Sequence, residues 1–96
     1  MVMTVTEFAQ AVHDYSVQTN ASCTSWGRTL KHTIAVGGFN GDPHMYWLGA
    51  DLVYDVDSLQ PAARQAIAQS YGLYLLVEAT HDHVQPLDWA NKPVPV

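Results

Sequence analysis

The chain has 96 residues, near the small end of what folds alone, and a domain of that size buries only roughly 60 to 65% of its unfolded surface. Its composition is 48% hydrophobic and 14% charged with ten aromatic side chains, which marks a chain with a real core and excludes a disordered one. Four basic against nine acidic residues give a formal charge of −5, and no basic run or aromatic-basic interleaving is present, which argues against nucleic acid as a partner.

The start, MVMTVTEFAQ, lacks a basic segment followed by an apolar run, and no stretch approaches the roughly 18 apolar residues of a membrane span. A chain made in the cytoplasm without an export signal of its own is therefore expected. From Thr6 to about Asn20 the apolar residues Phe8, Ala11, Val12 and Tyr15 recur at helical spacing, with Thr4 or Thr6 placed to cap the start. Ser22 to Gly41 is rich in Ser, Thr, Gly and Asn, so it reads as mostly loop with one short strand or helical turn. Within it, Cys23 is the only cysteine; it has no disulfide partner in the chain and is expected to be a packed, inert thiol.

HMYWLGADLVY, His44 to Tyr54, suggests strand structure interrupted near Leu48-Gly49. Ser58 then opens a second helix, with Pro61 in its first turn, Gly72 at its end, and an apolar face of Leu59, Ala62, Ala63, Ala66 and Ile67. Leu73 to Val77 is a short apolar run suited to a buried strand that leads into EATHDHVQ, Glu78 to Gln85. The tail DWANKPVPV is expected to lie over the surface or to be mobile. With no internal repeat and no linker, the order predicts a single small α+β domain with a mainly antiparallel sheet packed with two helices.

His44, Asp51, His81 and His83 are side chains that zinc accepts. Two histidines and one carboxylate leave a fourth position for water, which is the catalytic rather than the structural kind of zinc site. His81 and His83, two apart, point to one face of an extended segment, whereas His44 and Asp51, seven apart, converge only if the chain bends between them. Leu48-Gly49 is a place for that bend. An H-x-H pair alone is weak evidence. It also occurs in cupins and amidohydrolases, whose remaining ligands are missing here, and there is no HExxH helix.

Taken together, SWGRTLKHTIAVGGFNGDPHMYWLGAD, Ser25 to Asp51, resembles the zinc D-alanyl-D-alanine carboxypeptidase and L-alanyl-D-glutamate endopeptidase family. That family includes phage endolysins and shares its fold with the Hedgehog signalling domain. Its pattern runs S-G-x-R-(S/T), a loop often containing G-G, S-x-H-x-x-G-x-A-x-D, then an acidic residue shortly before an H-x-H or W-H pair. The four blocks occur here in order, over about Ser25 to Gln85. The resemblance implies a Hedgehog/DD-peptidase-like fold, zinc held by His44, Asp51 and His83, Arg28 holding substrate, Glu78 as general base, and His81 as a hydrogen-bond donor beside the metal. A permanently charged, fork-shaped arginine suits a carboxylate or an oxyanion. The chain departs from the pattern with Trp47 where the family has glycine, Gly49 where it usually has alanine, Asp42 for serine, and Gly27 where an aromatic is usual. Many members place the base three residues before the third ligand, and Thr80 stands there relative to His83. Two registers follow: His83 as ligand with Glu78 further upstream, which is preferred, or Glu78-Ala-Thr-His81 with His81 as ligand. Asp82 would face away from the metal and ranks below Glu78 as base.

The expected function is therefore a zinc metallopeptidase cutting peptidoglycan stem peptides at a D-Ala-D-Ala or L-Ala-D-Glu bond, reaching the wall after lysis or by assisted export. The alternatives are a zinc-binding module without catalysis and a plain α+β domain whose histidines bind nothing. Trp26, Tyr46, Trp47 and Trp89 are candidate walls of a substrate pocket and equally candidates for the core.

Overall fold

In the structure, a computed structural model, residues 3–37, 46–56 and 59–87 are described. Helix α1, Val5–Thr19, begins at Thr4, whose side chain accepts from the Glu7 amide while the Glu7 carboxylate accepts from the Thr4 amide. This capping box satisfies two amides that the helix cannot, and an acidic residue sits well in the first turn. The helix buries Phe8, Ala11, Val12, Tyr15 and Thr19, and stops at Asn20 in the left-handed conformation at φ 58°.

Strand β1, Ala21–Ser25, and helix α2, Leu30–Ala35, follow. The Ser/Thr-rich region thus holds both a strand and a short helix, and the described chain has three helices rather than two. Thr29 caps α2 by accepting from the His32 amide. Strand β2, Ala50–Tyr54, is preceded by a turn in which Trp47 adopts φ 60°. Leu48 and Gly49 are buried and belong to no strand, so the chain is interrupted near Leu48-Gly49 as predicted, with the left-handed residue at Trp47.

Helix α3, Pro61–Ser70, starts with proline in its first turn and ends before Gly72, whose φ of 77° needs no Cβ to avoid. The apolar face expected for it is not the buried one. Ala62, Ala63 and Ala66 are exposed, as is Leu59 before the helix, and Arg64 and Ala68 are buried with Ile67 partly so. The helix is rotated because Arg64 lays its stem inward to reach an acid beneath, leaving alanines, which lose little by exposure, on the outside.

Strands β3, Leu73–Val77, and β4, Asp82–Pro86, form a hairpin. All four strands are antiparallel, in the order β1-β2-β4-β3. Ala50 and Leu52 of β2, Val84 of β4, and Leu73 and Leu75 of β3 meet Phe8, Ala11, Val12 and Tyr15 of α1 and Ala68 of α3 in one buried cluster. This is a small α+β domain in which α1 and α3 cover one face of the sheet. The strand period of two sends the alternate residues, Asp51 on β2 and His83 and Gln85 on β4, to the other face.

Candidate functional site

Register decides what meets on that second face. Asp51 is the cross-strand partner of His83, and on the other flank His83 is the partner of Leu76. One slip in register would send His83 into the helix-covered core. The Asp51 Oδ1 and His83 Nδ1 atoms stand 3.3 Å apart, with His83 only 7% exposed. Asp51 is also opposite Ser25, reached after a bulge in which Thr24 is the extra residue, its hydroxyl donating to the Asp51 carbonyl. Such bulges locally re-aim a strand.

Glu78 and His81 close the loop of the β3–β4 hairpin, where the Glu78 amide donates to the His81 carbonyl at 2.9 Å. The same closure brings their side chains together: His81 Nε2 lies 2.9 Å from Glu78 Oε2 and 3.6 Å from Asp51 Oδ1. With Nε2–H turned to the carboxylates, His81 Nδ1 accepts from the Thr80 hydroxyl at 3.0 Å. His81 precedes the ladder and His83 lies within it, so the two rings have different supports. A cleft of about 400 Å³ runs beside this loop, lined by Glu78, Thr80 and His81 and, from the helix-covered side, by Tyr54, Arg64 and Asp82; Asp51 and His83 are not among its walls.

His83 is held from both sides. Its Nε2–H donates to Gln85 Oε1 at 2.9 Å, and its Nδ1 faces the Asp51 carboxylate. Burial alone would push its imidazolium toward losing a proton, but the hydrogen bonds to Asp51 and Gln85 and the charges of Asp51 and Glu78 outweigh it and hold the pKa above the ordinary histidine value. Two acceptors flanking one ring suit an imidazolium, and they equally suit a neutral ring whose Nδ1 lone pair meets a cation shared with Asp51.

Two donors each about 2.0 to 2.1 Å from a tetrahedral zinc stand about 3.4 Å apart, so the Asp51–His83 pair fits one edge of such a site in spacing and in donor type. His44, the remaining predicted ligand, falls outside the described residues, as do Asp42, Trp89 and the tail. Among the described residues no three His, Cys, Asp or Glu side chains converge as a metal-holding group.

Asp82 faces the opposite way from His83 and accepts from Arg64 Nε at 2.8 Å and from the Tyr54 hydroxyl at 2.6 Å. Arg28 lies in the segment between β1 and α2, and its Nε is buried without a hydrogen-bond partner. Just before it, a Cβ at Gly27 would run into the Trp47 ring, which also packs edge-on against Trp26 with centroids 5.7 Å apart. Trp26 donates its indole N–H to the Trp47 carbonyl and partly lines the core, whereas Trp47 is 47% exposed. Cys23, expected to be buried, is exposed, because β1 is an edge strand. Partial desolvation still pushes its thiol up, so it is a poor nucleophile.

Comparison of the chain with family models, with curated proteins and with solved structures gave no match. No helix among the described residues is long and apolar enough to cross a membrane. Gln85 carried no signal in the sequence, since an amide is neither a usual zinc ligand nor a titrating base. Only its spacing of two from His83 could have placed it on the same face.

Proposed function

We propose that this chain is a zinc-dependent peptidase acting on peptidoglycan stem peptides, with Asp51 and His83 as two of the ligands and His44 as the third. The observation that carries the reading is the connected set Asp51, His83, His81 and Glu78, joined by contacts of 2.9 to 3.6 Å, with Glu78 and His81 also lining a cleft. Bound zinc would supply an activated water near neutral pH and polarise the scissile carbonyl. Glu78 is the base that takes the water's proton and returns it to the leaving amine. His81 steers the Glu78 carboxylate through its Nε2–H, and that N–H would be released to the charge developing at the carbonyl once Glu78 holds the water's proton. Arg28 would hold a substrate carboxylate, a role that its fixed charge and fork suit.

The turn before β2 supports the motif register. Trp47 holds a left-handed conformation that glycine takes most easily, at the position where the resembling family has glycine. Its ring fills the space over Gly27, where that family has an aromatic. The two departures from the pattern therefore offset each other in space.

The test is mass spectrometry of purified muropeptides after incubation with the protein, with and without a zinc chelator. A chelator-sensitive product missing one D-alanine, or cut between L-alanine and D-glutamate, is expected. Absence of any product from a protein that binds one zinc would replace the reading with that of a non-catalytic zinc module; absence of zinc binding would sink both.

A further inference from the structure

The hydrogen bond on the far side of the His83 ring assigns a role to a residue outside the predicted site. We propose that Gln85 is a positioning residue for metal binding: by accepting the His83 Nε2–H it fixes the ring so that Nδ1 is the nitrogen presented beside Asp51. The inference rests on the zinc reading above. His83 and Gln85 are two apart on β4 and so share a face, and the contact is 2.9 Å with an acceptor-only oxygen, which leaves Nε2 as the donor. Gln85 is itself restrained, being the cross-strand partner of Tyr74 within the ladder and only partly exposed. A ring whose Nε2 carries the proton and is bonded cannot ligate through that atom. Nδ1, at 3.3 Å from Asp51 Oδ1, is then the nitrogen of this ring left to share an ion with it. Partners that hold a ligating histidine in this way also raise its basicity, and losing one typically weakens metal affinity about 10- to 100-fold.

Two variants separate the acceptor from the bulk of the side chain. Gln85→Met keeps the volume and removes the acceptor; Gln85→Glu keeps an acceptor and removes the donor. Zinc affinity measured by competition with a chromophoric chelator should fall about 10- to 100-fold in Gln85→Met and be kept or tightened in Gln85→Glu. Long-range proton–nitrogen NMR of the zinc-loaded wild type should show the His83 proton on Nε2 and the metal on Nδ1. Gln85→Met binding as tightly as wild type, Gln85→Glu losing as much as Gln85→Met, or zinc found on Nε2 would each overturn the assignment while leaving the peptidase reading intact. A wild type that binds no zinc overturns both, and the NMR result does not depend on either variant folding.

Discussion

His81 and His83 differ in attachment although they are two residues apart. His83 sits in the ladder opposite Asp51, whereas His81 stands at the mouth of the hairpin loop with Glu78. His83→Ala should therefore abolish zinc binding, and His81→Ala should leave it within a few-fold while lowering kcat; isothermal titration with zinc and muropeptide turnover distinguish them. The reverse pattern would make His81 the ligand and Glu78-Ala-Thr-His81 the correct register. Glu78→Gln removes the proton acceptor and keeps the shape. Its expected cost is about 100- to 10,000-fold in kcat with the zinc stoichiometry unchanged. At the entry to β2, Gly27→Ala should destabilise the fold by about 1 to 3 kcal/mol, because the new methyl displaces the Trp47 indole. In a Trp47→Ala background the same change should cost far less, and additive urea-unfolding midpoints would mean that the two residues do not share that space.

β3 is an edge strand, and its outward groups at Leu75 are met by a side chain in place of a strand. Gln65 of α3 donates its amide N–H to the Leu75 carbonyl and accepts from the Leu75 N–H, both at 3.0 Å, as a neighbouring backbone would. Gln65→Ala should lower stability by about 1 to 3 kcal/mol by urea unfolding and raise self-association by light scattering, since an open edge recruits other strands. An unchanged unfolding midpoint would show that water serves Leu75 equally well. Gln65 was as silent in the sequence as Gln85, and for the same reason: a side chain that imitates backbone has no pattern. What periodicity marks was legible, namely α1 with its cap, α3 as an element, and β3 with its boundaries. β1 was foreseen only as a short strand or helical turn somewhere in a loop, because Ser and Thr at an edge bury little, and the face of α3 was misjudged because hydrophobicity cannot show an arginine drawn inward by an acid on another element. In the site, the carboxylates and imidazoles were legible because chemistry restricts which residues serve; which of them share a row required the register.

β4 separates two faces by alternation. His83 and Gln85 lie on the face of the proposed site with Asp51, while Asp82 and Val84 turn toward the helices. On the helix side a chain of hydrogen bonds ties four elements together: Tyr15 of α1 donates to the Tyr54 oxygen at 2.7 Å, Tyr54 of β2 donates to Asp82, and Arg64 of α3 donates to the same oxygen and lies over the Tyr54 ring. Arg64 is 9% exposed, so Asp82→Ala would take a carboxylate from a buried cation and from the Tyr54 hydroxyl, at a cost of about 3 to 5 kcal/mol. The two phenols carry a pH dependence whose sign is fixed. Burial, followed for Tyr54 by its bonds to Asp82 and Tyr15, raises both above the ordinary tyrosine value of 10.0, Tyr54 far above it. A raised pKa favours the neutral phenol in the folded state, so this stability is complete below the unfolded value and is lost as pH climbs above 10 toward the folded values. Unfolding midpoints in urea should accordingly be flat with respect to these groups at neutral pH and fall steeply on the alkaline side. Tyr54→Phe should start lower, by about 1 to 3 kcal/mol for the donor that Asp82 loses, and then decline less with alkali. Parallel alkaline slopes in wild type and Tyr54→Phe would mean that the phenol chain does not govern that limb, and that the four elements are joined by packing and the Arg64–Asp82 pair alone.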